Sequence, residues 1–255
     1  MLYECSSMNG TSTSERRVLV TGAGRGIGLA ITRQLLSAGY RVIAHYRQSL
    51  GALASLQQET GDGLQPVQAD FQHRNEIAAL FGGLKQRRIK LYGLVNNAGI
   101  TRDKMVLWLK ETDWDDVMAV NLTAPFLCAK HALKLMIPNR CGRIINIVSP
   151  SGLLGRAGQA NYSAAKGGLI AFTKALAKEA APTGVTVNAV CPGIIDSDMF
   201  AALAPEVRRE FLEHVPLKRA GSAAEVAHLV AFMLSADAGY ITGTVMRVDG
   251  GLTMA

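Results

Sequence analysis

Cysteine is scarce and scattered in this sequence. Cys5, Cys128, Cys141 and Cys191 form no CxxC pair. Neither a disulfide framework nor a clustered zinc site is therefore expected, and the thiols are expected to be free in a reducing compartment. No apolar run approaches the roughly 18 residues that cross a bilayer, so no membrane span is expected. The segment 1–15 is polar, rich in Ser, Thr and Asn, and lacks the apolar stretch of a secretory signal. It is expected to be a disordered leader on a cytoplasmic protein. Proline is rare, eight residues against 26 glycines, and no period is present, which excludes collagen-like repeats and suggests many tight turns. Charged residues make up only 18% beside 49% hydrophobic ones, a balance that excludes global disorder. His131 and His228 have no metal-ligand partners at suitable spacing, so no metal is expected.

What the chain does contain is an excess of base, 27 Lys+Arg against 20 Asp+Glu, for a net charge of +7. That balance favours anionic partners. The basic residues are dispersed and no nucleic-acid-binding motif appears, so nucleic acid is not the expected partner. From Arg16 onward, short β-branched runs alternate with helical segments. The runs are Val18–Val20, Val42–Ala44, Leu64–Val67, Leu91–Val95, Ile144–Val148, Val185–Val190 and Val245–Val248. Between them lie Ile27–Ala38, Leu50–Glu59, Asn75–Arg87, Asp113–Met136, Asn161–Ala180 and Ala223–Leu234. Such alternation predicts an α/β fold: a doubly wound, Rossmann-type parallel sheet with helices on both faces, in a single domain over 16–255. Ser222 with Glu225 predicts a capping box, and Gly39 and Gly184 predict left-handed helix caps. Trp108, Trp114 and the methionines read as packing groups.

The first strand runs into Gly22, Gly24, Arg25, Gly26, Ile27 and Gly28 and then a helix. Glycines let the backbone approach a pyrophosphate, and the helix N-terminus offers free N–H groups to it. The spacing is GxxxGxG rather than GxGxxG, because Ile27 occupies the place of the third glycine. No Gly-Lys-Ser/Thr follows, so a P-loop is excluded. The second strand ends His45-Tyr46-Arg47-Gln48-Ser49, without the acid that would bond a ribose 2′-OH. Arg25 and Arg47 are placed to pair with a 2′-phosphate, which favours NADP(H). As residues alone, both are also describable as solvated surface arginines, the less favoured reading.

Tyr162 and Lys166 are four apart and share one helix face. A phenol with a pKa near 10 needs help to work at neutral pH, and a neighbouring ammonium lowers its pKa. Taken alone, Tyr-xxx-Lys also describes a packed ring beside a solvated amine. Ser149 follows the run Ile144–Val148 at its C-terminal end, the edge at which open α/β sheets bind ligands. Asn121 lies inside the expected long helix with Pro125 four residues on. Proline has no N–H for the Asn121 carbonyl, which is either a freed oxygen or a packing kink.

These residues, in this order, resemble the short-chain dehydrogenases/reductases: Gly22-xxx-Gly26-x-Gly28, Asn96-Asn97-Ala98-Gly99, Asn121, Ser149, Tyr162-xxx-Lys166 and Pro192-Gly193. More narrowly, Asn96–Lys104, Gly158–Lys166 and Ile241–Gly251 are similar to the bacterial 3-oxoacyl-[acyl-carrier-protein] reductases. The resemblance implies a seven-stranded parallel sheet, a homotetramer, and NADPH-dependent reduction of a 3-oxoacyl thioester on acyl carrier protein. The same chemistry would serve a polyketide or polyene pathway, acetoacetyl-CoA, or small alcohols. By resemblance Tyr162 supplies the proton, Ser149 bonds the carbonyl oxygen, Lys166 tunes Tyr162 and grips the nicotinamide ribose, and Asn121 anchors a water relay. Asp70, Asn96, Ala98, Gly99, Tyr162, Pro192, Gly193, Ile195 and Ser197 carry over as further cofactor contacts. A lid is expected over about 197–216. An acidic carrier would need a basic patch beside the active-site mouth, to which Arg140, Arg143, Arg208, Arg209, Lys218 and Arg219 are the candidates. Thr183 stands where the fatty-acid enzymes often have a basic residue, and Pro150 is unusual beside the serine.

Overall fold

The computed structural model describes residues 15–196, 200 and 204–254. The first half runs β1 (Arg17–Val20), α1 (Gly26–Ser37), β2 (Arg41–Tyr46), α2 (Ala52–Thr60), β3 (Leu64–Gln68), α3 (Arg74–Gln86) and β4 (Leu91–Asn96). The second half runs α4 (Glu111–Met118), α5 (Ala124–Met136), β5 (Gly142–Ile147), α6 (Ser151–Leu154), α7 (Ala160–Ala180) and β6 (Val185–Pro192). It closes with α8 (Pro205–Glu213), α9 (Ala223–Leu234) and β7 (Val245–Val248). The strands form one parallel seven-stranded sheet in the order β3-β2-β1-β4-β5-β6-β7.

Side chains alternate across β1, and each face meets its own helices. Val18 and Val20 join Ile31 and Leu35 of α1 and Val226, Val230 and Met233 of α9. Leu19 faces the other way, into a cluster with Ile77, Leu80 and Phe81 of α3 and Cys128, Ala132 and Met136 of α5. Every residue of β4, β5 and β6 is buried, as a sheet covered on both sides requires. The order turns at β1, which pairs with both β2 and β4. The crevice between the C-terminal ends of β1 and β4 is therefore the place for a ligand.

The capping box of Ser222 and Glu225 forms at the start of α9, and Gly39 and Gly184 take φ of 85° and 78°. One expected helix is broken. In place of a continuous Asp113–Met136 there is α4, a π-turn over Ala119–Thr123, and α5. Pro125 withholds the N–H that Asn121 O would receive, and the Ala124 N–H reaches Ala119 O across five residues instead. Periodicity did not reveal α6, which is a single turn, or α8, whose Pro205 start was a readable signal. Cys141 is disulfide-bonded, which corrects the expectation of four free thiols; Cys128 and Cys191 are free and buried. Spacing along the chain does not reveal a pairing that the fold creates. Trp108 and Trp114 are 69% and 39% exposed, so they are not core groups of the single chain. No helix among the described residues is long and apolar enough to cross a membrane.

Candidate active site

The loop after β1 is a cradle held from three sides. Gly22 takes φ of 65°, and a Cβ on Gly28 would lie 2.1 Å from Gly22 O, so both positions require glycine. Thr21 Oγ1 accepts from the N–H groups of Asn97 (2.9 Å) and Ala98 (3.0 Å). Asn97 Nδ2 donates back to Thr21 O (2.9 Å) and Gly22 O (3.1 Å). Behind the loop, Ala23 N–H donates to His45 O at 2.8 Å and Gly22 N–H to His45 Nδ1 at 3.1 Å. Helix α1 begins at Gly26 with no side-chain cap bond from Arg25, which leaves its first N–H groups for an anion. The residues present fit a pyrophosphate.

Gly24 lies against the end of β2, with an added Cβ 3.7 Å from Ser49 O, so Arg25 and Arg47 come to the same rim. Both are exposed, and neither takes part in an ion pair among the described residues. Ile27 packs partly buried against the core beneath the loop. Asp70 caps the turn after β3, accepting from Gln72 N–H at 3.0 Å. The Asn96 side chain turns into the sheet, donating to Asn146 Oδ1 at 2.8 Å. Asn97, part of the motif but not among the expected cofactor contacts, is the asparagine that faces the loop. On the far side Gly193 N–H donates to Val248 O at 2.9 Å, and Ile195 bridges to Gly221. Ser197 lies outside the described residues, as does part of the expected lid; α8 forms its described portion.

The catalytic candidates meet at the C-terminal edge of β5. Lys166 is buried, its Nζ donating to Ile147 O at 2.8 Å and lying 5.6 Å from the Tyr162 ring centroid. Burial lowers its pKa to about 8. Ser149 stands beside Tyr162 and favours its ionised form. The phenol's pKa is nevertheless raised above 10, because burial outweighs that influence and nearby Asp103 opposes ionisation too. This corrects the expectation that the ammonium lowers it: in this chain the phenol is held protonated, ready to donate. Asn121, fully buried on the π-turn, clasps Ile100, accepting from its N–H at 3.1 Å and donating to its O at 2.7 Å. Gly99 makes room, since a Cβ there would fall 2.6 Å from Asn121 Oδ1.

A supporting network was not legible in the sequence. Ser151 Oγ donates to Gln159 Oε1 (2.9 Å), and Gln159 Nε2 donates to Asp103 Oδ2 (2.7 Å). Asn161 Oδ1 accepts from the Tyr162 N–H at 2.8 Å, while its Nδ2 holds Arg102 O at 3.1 Å. These bonds tie the start of α7 to the segment after β4, and so fix where the Tyr162 ring stands.

Within one chain the expected docking candidates lie in different places. Arg140 precedes β5 and Arg143 is its second residue, whereas Ser149 follows it. Arg143 is thus at the opposite sheet edge, about 20 Å from Ser149 at 3.3 Å per residue, and Arg140 lies beyond it. Arg143 is moreover 5% exposed, packed against the Tyr92 ring. Arg219 is engaged by Glu225 at 2.7 Å. On the catalytic edge, Arg208, Arg209 and Lys218 line a groove of about 450 Å³ with Phe200, Pro205 and Leu212.

Residues 22–253 match the family model described as Enoyl-(Acyl carrier protein) reductase. The chain is 44% identical over 248 residues to the 3-oxoacyl-[acyl-carrier-protein] reductase of Synechocystis sp., covering 96% of this chain and 99% of that protein. It is 45% identical over 237 residues to 3-oxoacyl-[acyl-carrier-protein] reductase FabG of Aquifex aeolicus, covering 92% and 96%. The FabG of Salmonella typhimurium is 42% identical over 236 residues, again covering 92% and 96%.

Proposed function

This chain belongs to the short-chain dehydrogenase/reductase family, and on that premise we propose that it is an NADPH-dependent reductase of 3-oxoacyl thioesters carried on acyl carrier protein. The observation that carries the reading is the placement of Ser149 beside Tyr162, backed by buried Lys166, on the same sheet edge as the glycine cradle. Relatives at 42–45% identity bearing the 3-oxoacyl reductase name support the substrate.

A ketone needs a hydride at C3 and a proton on oxygen. The nicotinamide, when bound, supplies the hydride. Ser149 Oγ–H donates to the carbonyl oxygen and orients it. Tyr162, kept neutral by its surroundings, then hands over its phenolic proton. Lys166 holds its charge beside the ring, where it offsets the phenolate as that forms. Asn121 is held by two bonds to Ile100, which fix its place on the π-turn. A water held at the Asn121 carbonyl and leading to Lys166 would return the proton.

Lys166 gives this scheme a pH signature. Its proton leaves as pH rises through about 8. The cation is the form that works, so kcat/KM for NADPH, which reports the free enzyme, is expected to fall about tenfold per pH unit above that point. An unchanged value up to pH 10 would remove Lys166 from the scheme.

The substrate's carrier is acidic, and Arg208, Arg209 and Lys218, which line the groove beside α8, are basic side chains that suit it. Met105, Val106, Leu107 and Trp108 are 53–83% exposed in one chain, which supports burial against further copies in a homotetramer. The matched family description suggests enoyl reduction as the second reading. That reaction places its proton on carbon, which the Ser149–Tyr162 pair does not address. Following NADPH absorbance with 3-oxoacyl and 2-enoyl thioesters on the same carrier separates the two. Faster turnover of the enoyl substrate would overturn the proposal.

A further inference from the structure

His45 is buried and makes three fixed bonds, yet nothing in the catalytic scheme uses it. Its Nδ1 accepts the Gly22 N–H at 3.1 Å, its own carbonyl accepts the Ala23 N–H at 2.8 Å, and its Nε2 lies 2.9 Å from Ala69 O. A carbonyl only accepts, so Nε2 carries the proton and Nδ1 is the bare acceptor. The ring stacks on Phe71 with centroids 3.8 Å apart, which leaves it no alternative orientation. Burial lowers its pKa to about 4, opposed by the Ala69 bond and then by Asp70. The imidazole is therefore neutral over the working pH range, and both its nitrogens are committed.

These bonds join three places. Gly22 and Ala23 form the glycine cradle, Tyr46-Arg47 follows His45 on β2, and Ala69 precedes Asp70 at the end of β3. We propose that His45 is a positioning residue for the nucleotide: one neutral ring fastens the phosphate cradle, the arginine-bearing rim and the adenine side into a single rigid seat. The proposal rests on the dinucleotide reading given above and concerns binding rather than proton transfer. A strut of this kind acts on the free site, where an N–H left without its acceptor costs as much as a lost hydrogen bond.

Two substitutions divide the ring's functions. His45→Asn places an amide oxygen near the position of Nδ1 and can keep the Gly22 bond. His45→Gln extends toward the position of Nε2, keeping the Ala69 bond and leaving Gly22 N–H unpaired. Kd for NADPH is measured by fluorescence titration, beside KM and kcat. His45→Gln is expected to raise Kd and KM for NADPH about tenfold with a much smaller change in kcat. His45→Asn is expected to restore most of that loss. Equal weakening in kcat alone, or identical Kd values in wild type and His45→Gln, would overturn the proposal while leaving the cofactor reading intact. Failure of the wild-type protein to bind NADPH or NADH would overturn both. If the variants do not fold, histidine ¹⁵N spectra of the wild-type protein decide. A neutral Nε2–H ring that persists to pH 5 and keeps its tautomer on adding NADPH supports the strut. Protonation near the ordinary 6.5, or the Nδ1–H tautomer, overturns it.

Discussion

Replacing Tyr162 by Phe is expected to lower kcat by about 10²–10⁴-fold, the usual loss when a positioned acid is removed. The change deletes one oxygen and keeps the ring that packs beside Lys166. Affinity for the nucleotide should stay near the wild-type value, because the cradle is built by Gly22, Gly28, Asn97 and α1, none of which bonds to the phenol. Steady-state kinetics with a 3-oxoacyl thioester, paired with NADPH titration, checks both halves. Near wild-type kcat in Tyr162→Phe would mean that the proton comes from another group. Joint loss of turnover and binding would mean that the ring is structural.

The second large effect concerns which nicotinamide nucleotide is taken. Arg47→Asp is expected to weaken NADPH binding about tenfold to a hundredfold, the cost of removing a charge-assisted hydrogen bond, and to leave NADH equal or better bound. The basis is positional. Arg47 and Arg25 stand exposed on one rim, with the loop and the end of β2 in contact at Gly24 and Ser49. A carboxylate at 47 would repel a 2′-phosphate and could accept from a ribose 2′-OH. Comparing kcat/KM for the two nucleotides in wild type and variant measures the switch. Equal use of both nucleotides by the unmodified protein would remove Arg47 from that function.

Much of the architecture was legible because parallel strands buried on both faces leave unmistakable runs, such as Ile144–Val148, and glycines mark the turns between them. The glycine cradle and the Tyr162–Lys166 face were legible for the same local reason: strand-loop-helix context and a four-residue spacing are properties of neighbouring residues. What stayed hidden depends on contacts between distant segments. The break at Ala119–Thr123 was signalled by Pro125, but its form as a π-turn follows from the Ala124 N–H reaching Ala119 O. Gln159, Ser151 and Asp103 carry no motif, and only the approach of α6 and α7 to the segment after β4 joins them. His45 was read for what the second strand lacked, an acid, and not for what it supplied. That Arg140 and Arg143 stand at the other end of β5 from Ser149 within one chain was hidden too, because nearness in sequence does not convey nearness in space.

The central claim is that Ser149 and Tyr162 direct a proton to a ketone oxygen while a hydride reaches the adjacent carbon. Its most direct test is to turn over a 3-oxoacyl thioester with NADPH deuterated at C4 of the nicotinamide on the transferred position, and to locate the label in the product. Deuterium at C3 of a 3-hydroxyacyl thioester, with the hydroxyl proton drawn from solvent and the product lost in Tyr162→Phe, is the predicted result. A 3-oxoacyl thioester left unreduced, or a 3-hydroxyacyl product without deuterium at C3, would contradict it.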